Sequence, residues 1–172
     1  MKLIYSRPML KDLSQGARIA FCRQFRIKTQ DDIARELGIF SESRRRTITR
    51  YEKGERNPEE CRTKKISDIL NVSYEAIKRY DYKEPIDLIY VLLWLEELYP
   101  NYRFDLDNVR NIDNDNLEII NNFLSEWEIM KNKRKKKEIR YADYIEWKLT
   151  YSLEEKYHEW NKENKNERYS NI

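Results

Sequence analysis

The chain has 172 residues, enough for one large domain or two small ones. Hydrophobic residues make up 40% and charged residues 38%, and the longest apolar run, Leu88 to Leu95, stops at Glu96 and Glu97, too soon to span a bilayer. The net charge of +3 hides a split: residues 1–83 hold 20 Lys and Arg against 12 Asp and Glu, whereas residues 84–172 hold 14 against 19. A basic front half fits a polyanionic partner, and an acidic back half argues against nucleic acid there.

The N-terminus MKLIYSRPML is too short and polar for a signal peptide. Cys22 and Cys61 form no CxxC pair and are expected as free thiols in a reducing cytosol. The only glycines are Gly16, Gly38 and Gly54, so the remainder is poor in turn residues. Apolar residues recur at helical spacing, and an all-α fold is predicted.

The first helix is predicted from about Gln15 to Phe25, with Asp12 or Ser14 as its cap and Ile19 and Cys22 facing inward. Thr29 opens the second. Its side chain can accept from the Asp32 N–H while Asp32 reaches back, a short capping box. Ile33, Ala34 and Leu37 then share a face, and Gly38 stops the helix. The third helix is arginine-rich, capped by Ser43 or Ser41, with Ile48 and Tyr51 inward and Gly54 at its end. Asn57-Pro58 predicts the start of a fourth helix carrying Ile66, Ile69 and Leu70. Ser73 is expected to cap a fifth, with Ile77 inward.

Asp81 to Glu84 reads as a linker, dividing a domain of residues 1–83 from one of residues 84–172. Pro85 opens a helix with Leu88, Val91, Leu92, Leu95 and Leu98 as its expected buried stripe, and Pro100 ends it. Tyr102 to Leu106 alternates and could form a short strand. A longer helix from Asn116 would align Leu117, Ile120, Leu124 and Trp127, and another would carry Tyr144, Trp147 and Tyr151. Ser152 could cap a last helix bearing Tyr157 and Trp160, before a frayed tail. Trp94, Trp127, Trp147 and Trp160 read as core anchors, with a dimer contact as the other option.

Residues 16–73 resemble the XRE-type, phage-repressor-like helix-turn-helix family. The resemblance rests on Gly16, Arg18, Ile19, Arg23, Thr29-Gln30, Ala34, Leu37-Gly38, Ile48, Arg50-Tyr51-Glu52-Lys53-Gly54, Arg56, Asn57-Pro58, Lys65-Ile66 and Leu70-Asn71-Val72-Ser73. It implies a five-helix reading domain, followed here by a mostly helical C-terminal domain, with the third helix entering the major groove. Base-reading positions fall on Arg45, Arg46 and Arg50; arginine can donate two parallel hydrogen bonds to guanine O6 and N7. Gln30 matches a phosphate-gripping position at a helix start, with Arg44, Thr49, Lys53 and Arg56 as weaker phosphate candidates. Arg23 and Glu52 match a structural ion pair. One departure stands out: the passage IFSESRRR is about four residues longer than the family's turn, so either the turn bulges or the third helix gains a turn.

Catalytic chemistry has no constellation here. His158 is the only histidine, so neither a two-histidine metal site nor HExxH exists, and no metal or cofactor is implied. A self-cleaving repressor is disfavoured, since residues 84–172 contain no glycine for a cleavable Ala-Gly bond. The acidic pairs Glu96-Glu97 and Glu154-Glu155 read as solvated faces. The run Lys131 to Lys137 reads as a charged helix end and turn, with a second nucleic-acid patch as the other option. These features predict a cytoplasmic, dimeric, sequence-specific DNA-binding regulator, a repressor from a phage or mobile element acting on a palindromic operator. The alternative is a protein-binding inhibitor or antitoxin, such as an anti-CRISPR protein, that captures another protein through residues 84–172 while its helix-turn-helix controls its own operon.

Overall fold

The computed structural model describes residues 8–41, 43–99 and 115–153, with side chains in the last segment from residue 119. Among them are eight helices and no strand. They are α1 (Gln15–Phe25), α2 (Gln30–Glu36), α3 (Arg44–Glu52), α4 (Glu60–Leu70), α5 (Tyr74–Ile77), α6 (Pro85–Leu98), α7 (Asp115–Lys135) and α8 (Tyr141–Thr150). The alternating stretch Tyr102 to Leu106, the expected helix with Tyr157 and Trp160, Glu154-Glu155, His158 and the tail lie outside the described residues.

Local chemistry sets the boundaries of the first elements. Ser14 Oγ accepts from the Ala17 N–H at 3.2 Å, while Asp12 Oδ1 takes the Ser14 N–H at 2.7 Å, so both candidate caps contribute. Gly16 is needed for a different reason: a Cβ there would stand 2.3 Å from Tyr51 O and 2.8 Å from Glu52 O, the tail of α3. The fourth helix begins at Glu60, not at Asn57-Pro58. Pro58 is buried and Glu59 is extended (φ −64°, ψ 159°), so the proline packs under the chain before the helix starts. Asn71 ends α4 in the left-handed region at φ 48°, a conformation asparagine tolerates. Ser73 makes no capping bond to α5; its hydroxyl donates to Glu75 Oε2.

The predicted linker is a pinned turn. Asp87, fully buried on the first turn of α6, accepts the Asp81 and Tyr82 N–H groups at 3.1 and 3.0 Å and lies 2.7 Å from Lys78 Nζ. The described parts of residues 1–83 and 84–172 share one hydrophobic cluster, running from Ile19, Phe21 and Ile48 through Trp94 to Trp127 and Ile145. Phe21 of α1 meets Trp94 of α6 edge to face at 5.3 Å, and Trp94 Nε1 donates to Ala76 O of α5. The Ser73 N–H donates to Leu149 O at 2.8 Å, and Arg26 grips the Glu146 carboxylate with both terminal nitrogens while its Nε reaches Leu70 O. Helix α8 is thus fastened to the ends of α1 and α4.

Two expectations in this half are corrected. Helix α6 buries Ile86, Ile89, Tyr90, Leu93 and Trp94, whereas Leu88 is 44% exposed and Val91, Leu92, Leu95 and Leu98 are only partly covered. The helix is apolar nearly all round, so periodicity alone picked the leucine side. The aromatic side won the core because Tyr90 and Trp94 hide more area and find partners for their polar tips in Tyr151 O and Ala76 O. Glu96 and Glu97 are not a solvated face. Both carboxylates approach Lys148 Nζ, at 2.5 and 2.8 Å, and Lys148 is 3% exposed. Tyr144 adds a hydroxyl bond to Glu96 and Tyr141 one to Glu97. Burial, and the facing Glu96 carboxylate, raise the Tyr144 phenol well above its ordinary value. A buried cation needs such company, because an unpaired one would be costly to desolvate.

Three of the four tryptophans lie among the described residues. Trp94 and Trp127 are buried anchors, and the half-buried Trp147 donates to Glu126 at 3.3 Å. On α7, Ile120, Phe123, Leu124 and Trp127 form the buried stripe; Leu117 is among the side chains outside the description. The lysine run closes α7 at Lys135 and turns through Lys137 at φ 61°. Lys131 and Arg134 lie over the Trp127 and Tyr141 rings, though Arg134, like Lys133, Lys135, Lys136 and Lys137, is exposed. No helix of the described residues is long and apolar enough to cross a membrane.

Candidate nucleic-acid interface

The α2–α3 pair is set by its ends. Thr29 Oγ1 accepts the Asp32 N–H at 3.1 Å, and Asp32 Oδ2 accepts the Thr29 N–H at 2.8 Å, completing the capping box. Gly38 leaves α2 at φ 75° and Gly54 leaves α3 at φ 71°, backbone states that side chains resist. Helix α3 opens at Arg44, so the last three residues of the longer passage, Arg44 to Arg46, are helical, and Ser43 stands just before them. Ser43 (φ −88°, ψ 11°) gives α3 no side-chain cap, and its hydroxyl instead pairs with Ser41 at 3.4 Å. Ile48 and Tyr51 turn α3 toward the core, and the Tyr51 hydroxyl receives Arg62 Nη1 of α4 at 2.7 Å. The opposite side of α3 is left to water and to polar residues.

Arg23 and Glu52 form a two-point pair, Nε to Oε1 at 2.5 Å and Nη2 to Oε2 at 3.1 Å, with side-chain exposures of only 13% and 9%. Arg23 Nη1 also donates to Lys28 O, tying the α1–α2 turn to the same point. Gln30 continues the network outward. Its Nε2 donates to Glu52 Oε2 at 2.7 Å, and its Oε1 accepts from Thr49 Oγ1 at 3.0 Å and Arg45 Nε at 3.4 Å. A line of hydrogen bonds therefore runs from the buried pair to the first exposed arginine of α3. Arg23, Lys28, Thr29, Gln30, Asp31 and Arg45 line a shallow cleft beside it.

The remaining candidate residues divide by what holds them. Arg44, read from sequence as a phosphate contact, directs Nε and Nη2 onto the Asp31 carboxylate at 2.6 and 3.1 Å. That pair holds the Asp31 carboxyl below its ordinary range, Arg44 being the largest influence. Arg50 and Lys53 stand 3.7 and 3.9 Å from the two Glu55 oxygens, loose contacts on exposed side chains that contribute little. Arg46 and Arg56 are exposed, and among the described residues neither has a salt-bridge partner. Arg46 and Arg50 of α3 and its C-cap Lys53 fall at i, i+4 and i+7, an outward cationic stripe met only loosely by Glu55.

Sequence reasoning missed Asp31 as the holder of Arg44, and it missed Arg18 as a strut. Arg18 is 2% exposed, donates to Leu13 O, Ala76 O and Lys78 O, and lies 3.9 Å over the Tyr80 ring. Its place among the matching helix-one residues was visible, but the carbonyls it binds were not. No group of His, Cys, Asp and Glu able to hold a metal occurs among the described residues.

Comparison with known proteins gives one match. Residues 22–77, the end of α1 through α5, match the family described as helix-turn-helix. No curated protein and no solved structure matches the chain. The capped α2, the glycine stop, the outward arginines of α3 and the family match converge on one identity. Residues 22–77 are a helix-turn-helix domain of the XRE type, the kind of DNA-binding domain found in transcription regulators.

Proposed function

We infer that the protein is a repressor that binds a palindromic operator as a dimer in the cytoplasm, as in a phage or mobile element. The observation that carries this reading is the cationic stripe of α3, Arg46, Arg50 and Lys53, facing away from a core that holds the opposite side by Ile48 and Tyr51. In the proposed complex Arg46 and Arg50 read guanines, and Arg45 does so while leaning on Gln30. Gln30, Thr49, Lys53 and Arg56 face phosphates, while Arg44 is held on Asp31. A single reading domain grips one half-site weakly; two-fold pairing over half-sites about 34 Å apart supplies affinity.

Residues 1–83 carry the reading function in this scheme, and residues 84–172 carry association with a second copy or another protein. The partly covered leucine side of α6 supports such a role, since large exposed apolar residues such as Leu88 favour contact. The test is selection of bound duplexes from a random pool by the full chain, followed by titration on the selected and random sequences. A palindromic consensus bound at two protomers per site is the expected result. Equal binding of selected and random duplexes would overturn sequence-specific repression.

A further inference from the structure

The first turn of α3 is oddly supported. It has no side-chain cap, and the passage leading to it exposes Phe40 to 77%. Its first-turn amide bonds include Arg46 N–H to Ser43 O at 2.9 Å and Thr47 N–H to the same oxygen at 3.3 Å. The Arg44 N–H reaches Ser41 O at 3.0 Å, while the Ser43 hydroxyl makes only a long, 3.4 Å contact with that of Ser41. Two side-chain bonds reach from this turn to α2. One is the long contact of Arg45 with Gln30, and the other is the two-point grip of Arg44 on Asp31. Asp31 is a firm base for that grip. It sits one residue inside the capping box of α2 and also meets Arg35 Nη2 at 3.4 Å. A two-point arginine–carboxylate pair fixes orientation as well as distance.

We propose that Asp31 is a specificity-determining positioning residue, which through Arg44 sets the angle at which α3 presents Arg46 and Arg50. The proposal rests on the DNA-reading function inferred above. An acid placed beside the phosphate-facing residues repels DNA, so its presence there calls for a compensating gain, and the gain is a fixed reading helix. The clamp substitutes for the missing cap, and it makes the longer turn compatible with one pose of α3. Because Arg44 is occupied, it adds no indiscriminate phosphate grip, which sharpens the contrast between operator and random DNA.

The full chain is compared with Asp31→Asn, Arg44→Gln and the double variant. In the absence of DNA, amide hydrogen exchange at Arg46 and Thr47 is expected to speed up in all three, with α1 and α4 unchanged. On DNA, the ratio of affinity for the selected operator over random duplex should fall about tenfold in each single variant, near the low end of one two-point base contact. The double variant should fall no further, because both changes break one pair. Asp31→Asn should also bind random duplex more tightly than the wild type. A ratio that stays constant while both affinities rise would show that Asp31 merely repels phosphate, overturning the proposal. Losses that add in the double variant would show that the two residues act apart, with the same consequence. If the wild type shows no sequence preference, the DNA reading itself fails; unchanged exchange at Thr47 overturns the clamp whatever the DNA result.

Discussion

Replacing Trp94 with alanine tests whether the reading head depends on the helices that follow it. Trp94 is 2% exposed, packs edge to face on Phe21 at 5.3 Å, and donates to Ala76 O. Truncating a buried tryptophan costs about 3–5 kcal/mol. The lost hydrogen bond adds little, because Ala76 O still receives Arg18 Nη1 at 2.8 Å and the Tyr80 hydroxyl at 3.3 Å. A loss of about 4 kcal/mol corresponds to roughly a thousandfold larger open population. Cys22 reports that population. It is wholly buried on α1, and desolvation pushes its thiol up to about 12, so it is inert until the core opens. Cys61 is exposed and serves as the internal standard in the same thiol-labelling experiment. Labelling of Cys22 should accelerate by about three orders of magnitude in Trp94→Ala, since slow labelling tracks the open state. An unchanged Cys22 rate, beside a lowered melting transition for the later helices, would refute the reasoning. It would show that the shared cluster transmits no stability across residue 84.

Other outcomes follow from the interface and the buried groups. Arg46→Ala should weaken operator binding by ~1–3 kcal/mol and relax one base position per half-site, whereas Lys53→Ala should weaken all duplexes alike; equal losses on operator and random DNA for Arg46→Ala would remove base reading from that residue. Log affinity should fall with log salt at about −0.9 per neutralised phosphate, and titration at several salt concentrations that gave a flat line would defeat the DNA assignment. Glu52→Ala strands Arg23 and frees Gln30 together, so urea unfolding should show a loss of about 3 kcal/mol, a value below 1 counting against a structural role for the pair. Stability should decline above about pH 9. Folded Cys22 holds its proton up to about 12 while the unfolded thiol releases it earlier, so the contribution is complete below the unfolded pKa and drains away as pH rises toward 12. The partly buried Tyr80 and the buried Tyr90 shift in the same direction through desolvation. A urea midpoint that stays constant up to pH 10.5 would contradict their burial.

Much of the reading head was legible because its signals are local. Thr29 with Asp32, Gly38 and Gly54 mark ends within a few residues of what they control, and α1 through α3 appear where those marks put them. The match at Arg23 and Glu52 is longer in reach, 29 positions apart, and came from family resemblance rather than from spacing. What failed to show was set by three-dimensional partners. Nothing in the sequence around Arg44 says that Asp31, 13 residues earlier, will hold it. Lys148 and Glu97 lie 51 positions apart, so a pair that looked like solvated acid became the counter-charge of a buried lysine. On α6 the sequence offered two apolar stripes, and only the presence of Phe21 and Ala76 on neighbouring helices chose between them.

The hydrogen-bonded line from Glu52 through Gln30 to Arg45 bears on how such a regulator could acquire a new operator. Position 45 shares its acceptor with Thr49, and that acceptor is anchored to the acid that neutralises Arg23. A change at Arg45 therefore re-sorts a polar network that reaches the core, and few side chains would leave Gln30 satisfied. Arg46 and Arg50 lie outside that network, Arg50 making only a loose contact with Glu55 at 3.7 Å, so in the proposed complex each can be exchanged with little else to rearrange. If that complex forms, divergence of binding preference has its freest ground at 46 and 50. At 45 it must travel with residue 30.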